Sequence, residues 1–183
     1  MQIISKIEIN YFRSAYSITL NNVNDINILV GGNDSGKSNI LKAINLFFNN
    51  ETELNTPYIF SDDLSKLREE EAREAKGRMF LWVKVTFNNF GKWNFIQKFF
   101  LVKKPWNRYS NLTEYTYFPN NVSNTSVTRF LNKITFHYIP AVRGREIFSH
   151  YLSLLHDALF ENEQLGVQEA TNTLMSNINI NTI

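Results

Sequence analysis

Asn27-Ile28-Leu29-Val30-Gly31-Gly32-Asn33-Asp34-Ser35-Gly36-Lys37-Ser38-Asn39-Ile40-Leu41-Lys42-Ala43-Ile44 is the stretch on which the fold turns. Gly31, four intervening residues, then Gly36, Lys37 and Ser38 satisfy the phosphate-loop pattern G-x-x-x-x-G-K-[ST] in full. Its surroundings suit the pattern. Asp25 to Val30 is a short apolar run ending at two glycines, which predicts a buried strand feeding a loop. Lys37 to Phe48 predicts a helix, with Ile40, Leu41, Ile44, Phe47 and Phe48 on one face and Asn49-Asn50 ending it. Gly31 and Gly36 allow backbone angles and close approaches that a Cβ forbids. The amides from Asn33 to Ser38 are expected to cradle β-phosphate oxygens, at the positive end of the following helix. Lys37 is the catalytic cation, reaching the β- and γ-phosphates, and the Ser38 hydroxyl takes one Mg²⁺ coordination position. Asp34 would repel a polyphosphate if it pointed inward, so it is expected to face outward or towards a partner subunit. The alternative is a structural glycine turn that happens to carry a lysine.

Outward from the loop, residues 2–11 and 16–20 read as two strands, the second closed by Asn21-Asn22. Residues 51–60 read as irregular around Pro57. Leu64 to Lys76 predicts a charged helix with Ser61 or Asp62 as N-cap, Gly77 as stop, and a Glu69–Arg73 pair at i,i+4. Met79–Phe87 and Trp93–Val102 predict a hairpin, followed by loop from 103, a short strand at 115–118 and a helical turn at 127–131. Ile134–Ile139 predicts a further strand closed by Pro140. Glu146–Phe160 predicts a second strong helix, with a stripe from Ile147 through Leu159. The domain reading is an ATPase lobe over 1–160 and, over 161–183, the start of a helical or connecting segment that ends abruptly.

The 183 residues suit one domain, and 43% hydrophobic content supplies a core, which excludes a disordered chain. A net charge of +2 permits a nucleic-acid partner without arguing for one. With no cysteine, disulfides and thiolate metal sites are excluded. The N-terminus has no secretory pattern and no apolar run has the length of a membrane span, so the reading is cytoplasmic, with no membrane partner.

Residues 6–48, KIEINYFRSAYSITLNNVNDINILVGGNDSGKSNILKAINLFF, resemble the opening of the ATPase heads of the OLD (overcoming lysogenization defect), RecF and SMC group. The resemblance rests on the turn Tyr11-Phe12-Arg13-Ser14 and on Asn33, Ser35 and Asn39 within the loop. It implies an α/β P-loop fold of the ABC-ATPase type: an N-terminal lobe with a mixed core sheet and an antiparallel side sheet, to which the 79–102 hairpin would belong. It implies ATP with Mg²⁺, Arg13 and Ser14 on the phosphates, and a homodimer closed through the nucleotide sites or a C-terminal lobe supplied elsewhere. For Arg13 a plain surface arginine in a turn stays open. FHYIPAVRGREIFSHYL also resembles the strand-to-helix junction of OLD-like ATPases, with His137, Arg143 and Arg145 where ABC heads carry a glutamine. Arg143 could meet the γ-phosphate or nucleic acid, or simply pair with Glu146.

Hydrolysis in that group also needs a Walker B strand ending in Asp-Glu, a signature helix and a switch histidine. Pro57-Tyr58-Ile59-Phe60-Ser61-Asp62-Asp63 only imitates the first, and His150 and His156 fall on the second helix. Asn132-Lys133-Ile134-Thr135 lacks the carboxylate of a guanine motif. Two functions follow: an ATP-driven switch acting on DNA in repair or anti-phage defence, or a nucleotide-binding module that stabilises an assembly without turnover. Lys103, Lys104, Trp106, Arg108 and Tyr109 are candidate nucleic-acid contacts, against the reading of an ordinary charged loop.

Overall fold

The computed structural model describes residues 2–88, 99–109, 116–118 and 124–140, with Ser149, Leu152 and Ser153 beyond them in helical conformation. The chain divides into two units, Met1–Ile139 and Pro140–Ile183. Arg143, Arg145, Glu146, His150, His156, most of the predicted second helix and the polar tail lie outside the described residues.

In the first unit, β1 (Ile4–Phe12), β2 (Ala15–Asn21), β5 (Phe80–Asn88), β6 (Phe99–Asn107) and β7 (Thr116–Phe118) form one antiparallel sheet in the order β2-β1-β5-β6-β7. Period-2 patterning sends Ile7, Ile9, Leu81, Val83, Val85, Phe87, Phe100, Val102 and Trp106 to one face, where all are buried. α1 (Lys37–Asn49) and α4 (Asn124–Leu131) join that core through Ala43, Ile44, Leu46, Phe47, Val127 and Phe130. Phe87 is the hub: its ring lies 5.3 Å from Phe100, 5.4 Å from Phe130 and 6.3 Å from Phe47, the spacing at which aromatic pairs add to simple burial.

Buried among these apolar side chains is Lys104. Its Nζ donates to the Phe47 carbonyl at 2.5 Å, one of the carbonyls left without a partner in the last turn of α1. Burial pushes its ammonium down from 10.5 to about 8. Between those two values the unfolded chain keeps the proton that the folded chain has released. Stability therefore rises with pH across that window, by up to about 3 kcal/mol. Urea midpoints measured from pH 7.5 to 10.5 should show this rise in the wild type and lose it in Lys104→Met.

Several expectations are corrected. Residues 25–30 form no strand: Ile26, Ile28 and Val30 are 82%, 80% and 89% exposed. Residues 134–139 are also irregular, although Phe136 stacks on Phe48 at 5.1 Å and Tyr138 is buried. In both cases the side chains suit a strand, but no neighbouring strand among the described residues offers a hydrogen-bonding edge. Residues 103–107, expected as loop, extend β6. Pro105 pairs with Trp82 of β5 within that extension. Residues 51–57 fold into a small hairpin, β3 (Glu51–Glu53) and β4 (Thr56–Pro57). The charged helix forms as α3 (Lys66–Glu74), with Ser65 at its N-cap position in place of Ser61 or Asp62, and a separate short helix, α2 (Phe60–Asp63), precedes it. The Glu69–Arg73 pair forms at 2.5 Å. On α1, Leu41 is 42% exposed and Leu46 takes its place in the core.

Candidate nucleotide-binding site

The loop and α1 build the site from their own backbone. Gly36 occupies the N-cap position with φ 88° and ψ 5°, a left-handed conformation that a side chain resists. A Cβ there would lie 2.8 Å from Ser14 Oγ. Gly31 is required for a different reason: a Cβ on it would meet Ser35 Oγ at 2.9 Å, inside the curl of the loop. α1 begins without a side-chain cap and without an acid in its first turn. Its first amides therefore keep their hydrogens for an anion, at the end where the helix dipole is positive.

Lys37 closes the loop on itself. Its Nζ donates to the carbonyls of Gly31 at 2.8 Å and Gly32 at 2.5 Å and to Ser35 Oγ at 3.2 Å. A second loop bond runs from the Ser35 amide to the Gly32 carbonyl at 3.4 Å. The ammonium thus sits in the mouth of the curl, held by acceptors that a phosphate oxygen can replace. Asn33, Asp34, Ser35 and Ser38 are exposed, and Asp34 takes φ 60°, a turn conformation that aspartate tolerates.

The Tyr11–Ser14 turn packs directly on the loop. Asn39 Nδ2 donates to Ser14 Oγ at 2.9 Å, and the same hydroxyl faces Gly36. The turn holds two left-handed non-glycine residues, Tyr11 at φ 67° and Arg13 at φ 47°. Such angles persist only when the surroundings over-determine them. Here the Arg13 amide donates to the Asp63 carbonyl and the Ser65 amide to the Tyr11 carbonyl, both at 2.8 Å, and Phe12 bridges to Leu64. Asp63 is 1% exposed; its Oδ1 accepts from Arg13 Nε at 2.9 Å and its Oδ2 from the Ile59 amide at 2.8 Å. Burial, and secondarily the charge of Asp63, raise the Tyr58 phenol well above its usual range. Tyr16 donates to Glu71 Oε1 at 2.5 Å, and Arg68 lies 4.9 Å over the Tyr11 ring.

The structure therefore brings together Gly31, Asn33, Asp34, Ser35, Gly36, Lys37, Ser38 and Asn39, with Ser14 against them. It places the Arg13 guanidinium on Asp63, which favours the turn-anchoring role for that side chain over phosphate contact. Asp63, read from sequence only as a poor Walker B imitation, is the buried acceptor that locks the turn. An aspartate following a short apolar stretch gave no hint of a partner 50 residues upstream. His137 is exposed and irregular. Trp106 and Lys104 turn inward at 1% and 5% exposure, which removes them from the nucleic-acid candidates. Arg108 and Tyr109 border an open cleft of about 610 Å³.

No group of three or more His, Asp or Glu side chains that could hold a metal occurs among the described residues. Such a donor set would suit a magnesium ion that arrives with a nucleotide: the Ser38 hydroxyl at the start of α1 would be one protein oxygen, and phosphates and water would have to supply the rest. Among the described residues no helix is long and apolar enough to cross a membrane.

An uncapped helix preceded by a glycine-bounded curl around a lysine defines a P-loop nucleotide-binding protein. The chain belongs to the AAA ATPase domain family, which it matches over residues 1–180. Uncharacterized protein MJECL44 of Methanocaldococcus jannaschii is 52% identical over 44 residues, covering 24% of this chain and 13% of that protein. The structure of the recombination mediator protein RecF with ATP, of the RecFOR pathway, aligns with a TM-score of 0.49 at 13% identity, covering 93% of this chain and 43% of that chain. The matched parts thus cover less than half the length of either protein. The expected α/β P-loop class is borne out, and the five-stranded sheet is antiparallel throughout.

Proposed function

We propose that this chain is the Mg-ATP-binding N-terminal lobe of an OLD/SMC-like ATPase that acts on DNA, in repair or in defence against phage, in the cytoplasm. The observation that carries the reading is the junction of Ser14 with Gly36 and Asn39. The turn on which the resemblance rests is packed against the phosphate loop, so the two motifs work as one unit. Two such lobes would close over nucleotide as a homodimer, or one lobe would be completed by a C-terminal lobe. The lobe is taken to run over 1–160, with 161–183 starting a connecting segment.

Asp63 has both carboxylate oxygens engaged in structural hydrogen bonds, so it is not the general base of hydrolysis in this reading; a completing lobe or partner would supply that base and the trans-acting groups. Ile26, Ile28 and Val30, exposed just before the loop, are the side chains that a completed core sheet would cover. The expected result is tight Mg-ATP binding by this chain with turnover far below about 1 s⁻¹, against DNA-stimulated turnover in a longer protein that carries the completing lobe. Phosphate release measured on both, with and without DNA, checks it. Turnover by the short chain alone, at the rate of a complete enzyme, would remove the reading.

The second reading, a nucleotide-binding module that stabilises an assembly without turnover, is favoured by the same engagement of Asp63. It predicts that the longer protein too binds ATP without DNA-stimulated release of phosphate.

A further inference from the structure

α1 and α4 pack on one face of the five-stranded sheet; the other face carries an ordered set of mostly polar side chains. Register places Thr19, Glu8, Lys84, Lys103 and Thr116 in one row across β2, β1, β5, β6 and β7. The row on one side holds Asn21, Lys6, Thr86 and Leu101; the row on the other holds Ser17, Asn10, Trp82 and Pro105. The single carboxylate in these rows, Glu8, is shared by Lys84 at 2.7 Å and Lys6 at 3.4 Å. Lys103 faces Lys84 directly across the strands, an arrangement of like charges that costs stability. Lys103 has no carboxylate in ion-pair range among the described residues. Its Nζ instead rests 4.3 Å above the centre of the Trp82 ring, which the Lys84 ammonium approaches to 5.5 Å. Desolvation and then the charge of Lys84 lower the Lys103 ammonium from its usual value, and the charge of Glu8 only partly opposes them.

A part-buried indole flanked by lysines on this face of an antiparallel sheet has both parts of a single-strand site: a stacking platform and cations for the backbone. An acidic peptide would satisfy the lysines but has no use for the ring. We propose that this sheet face binds single-stranded nucleic acid, with a base on Trp82 and phosphates on Lys84, Lys103 and Lys6. The long lysine stems let both ammonium groups swing off the ring to phosphates as the base arrives. The inference deepens the DNA-linked reading and rests on it, but the surface is separate from the phosphate loop.

The test is fluorescence anisotropy of a labelled oligothymidylate of about 15 nucleotides, a length within the range of single-strand site sizes, titrated with the full chain. Trp82→Leu should weaken binding about tenfold while Trp82→Phe retains it. Each of Lys84→Gln and Lys103→Gln should reduce the slope of log affinity against log salt by about 0.7. Oligouridylate in parallel separates DNA from RNA, and binding of either supports the proposal. Unchanged affinity in Trp82→Leu and in the double lysine variant would overturn it, as would displacement by poly-glutamate as readily as by unlabelled oligonucleotide. Calorimetry with Mg-ATP on the same variants reports that each is folded. Lys37→Ala, which removes nucleotide binding, should leave the oligonucleotide signal intact, so failure of the nucleotide reading is seen separately.

Discussion

Lys37→Ala is expected to weaken Mg-ATP binding at least about 100-fold, to the point where titration calorimetry records no heat. The Lys37 ammonium lies in the mouth of the loop, 2.8 Å and 2.5 Å from the carbonyls of Gly31 and Gly32. Removing it leaves the α1 amides facing a polyphosphate with no cation opposite, and it also releases the acceptors that shape the curl. Lys37→Arg should not rescue the loss, because a planar fork does not fit where a compact ammonium meets two carbonyls and a hydroxyl. Chain stability should change little, since the lysine bonds are exposed. Wild-type affinity in the alanine variant would end the account of this site.

The largest effect on stability is expected at Asp63. Asp63→Ala strips a buried carboxylate of two jobs at once: it leaves the Arg13 guanidinium without its partner and the Ile59 amide without an acceptor. Breaking a buried pair from one side costs about 3–5 kcal/mol; Arg13 keeps 25% side-chain exposure and can recover some water, so about 3 kcal/mol is expected. Urea unfolding measures it, with Asp62→Ala as the control, because the Asp62 side chain is exposed and accepts a hydrogen bond from the neighbouring Ser61 hydroxyl. The loss should be coupled to Arg13. Arg13→Ala in the Asp63→Ala background should cost far less than Arg13→Ala alone, since the pair acts as a unit. A weaker hold on Tyr11–Ser14 should also lower ATP affinity, because Ser14 sits against Gly36 and Asn39. An Asp63→Ala chain as stable as the control would show that the turn is fixed by its backbone bonds alone.

The phosphate loop was legible because every requirement in it is local: a glycine where φ is 88°, a lysine at the helix start, and an apolar stripe that makes α1 a helix on its own terms. The strands β1, β2 and β5 were legible for the same reason, since alternation over nine or seven residues is written in the residues themselves. Residues 25–30 and 134–139 carried strand-like side chains too, yet a strand exists only where another backbone pairs with it, and no local pattern reports that. The inward turn of Lys104 and Trp106, and the outward turn of Lys103 beside Trp82, depended on the register of β6 against β5. A shift of one residue would have exchanged the two faces. Arg13 and Asp63 are 50 residues apart in sequence, and packing alone brings them to 2.9 Å. What the chain's own residues determined was the glycine-bounded loop and the helix that starts from it. Tertiary structure decided what holds that loop rigid and which side chains face water, because burial, pairing and register belong to neighbours in space.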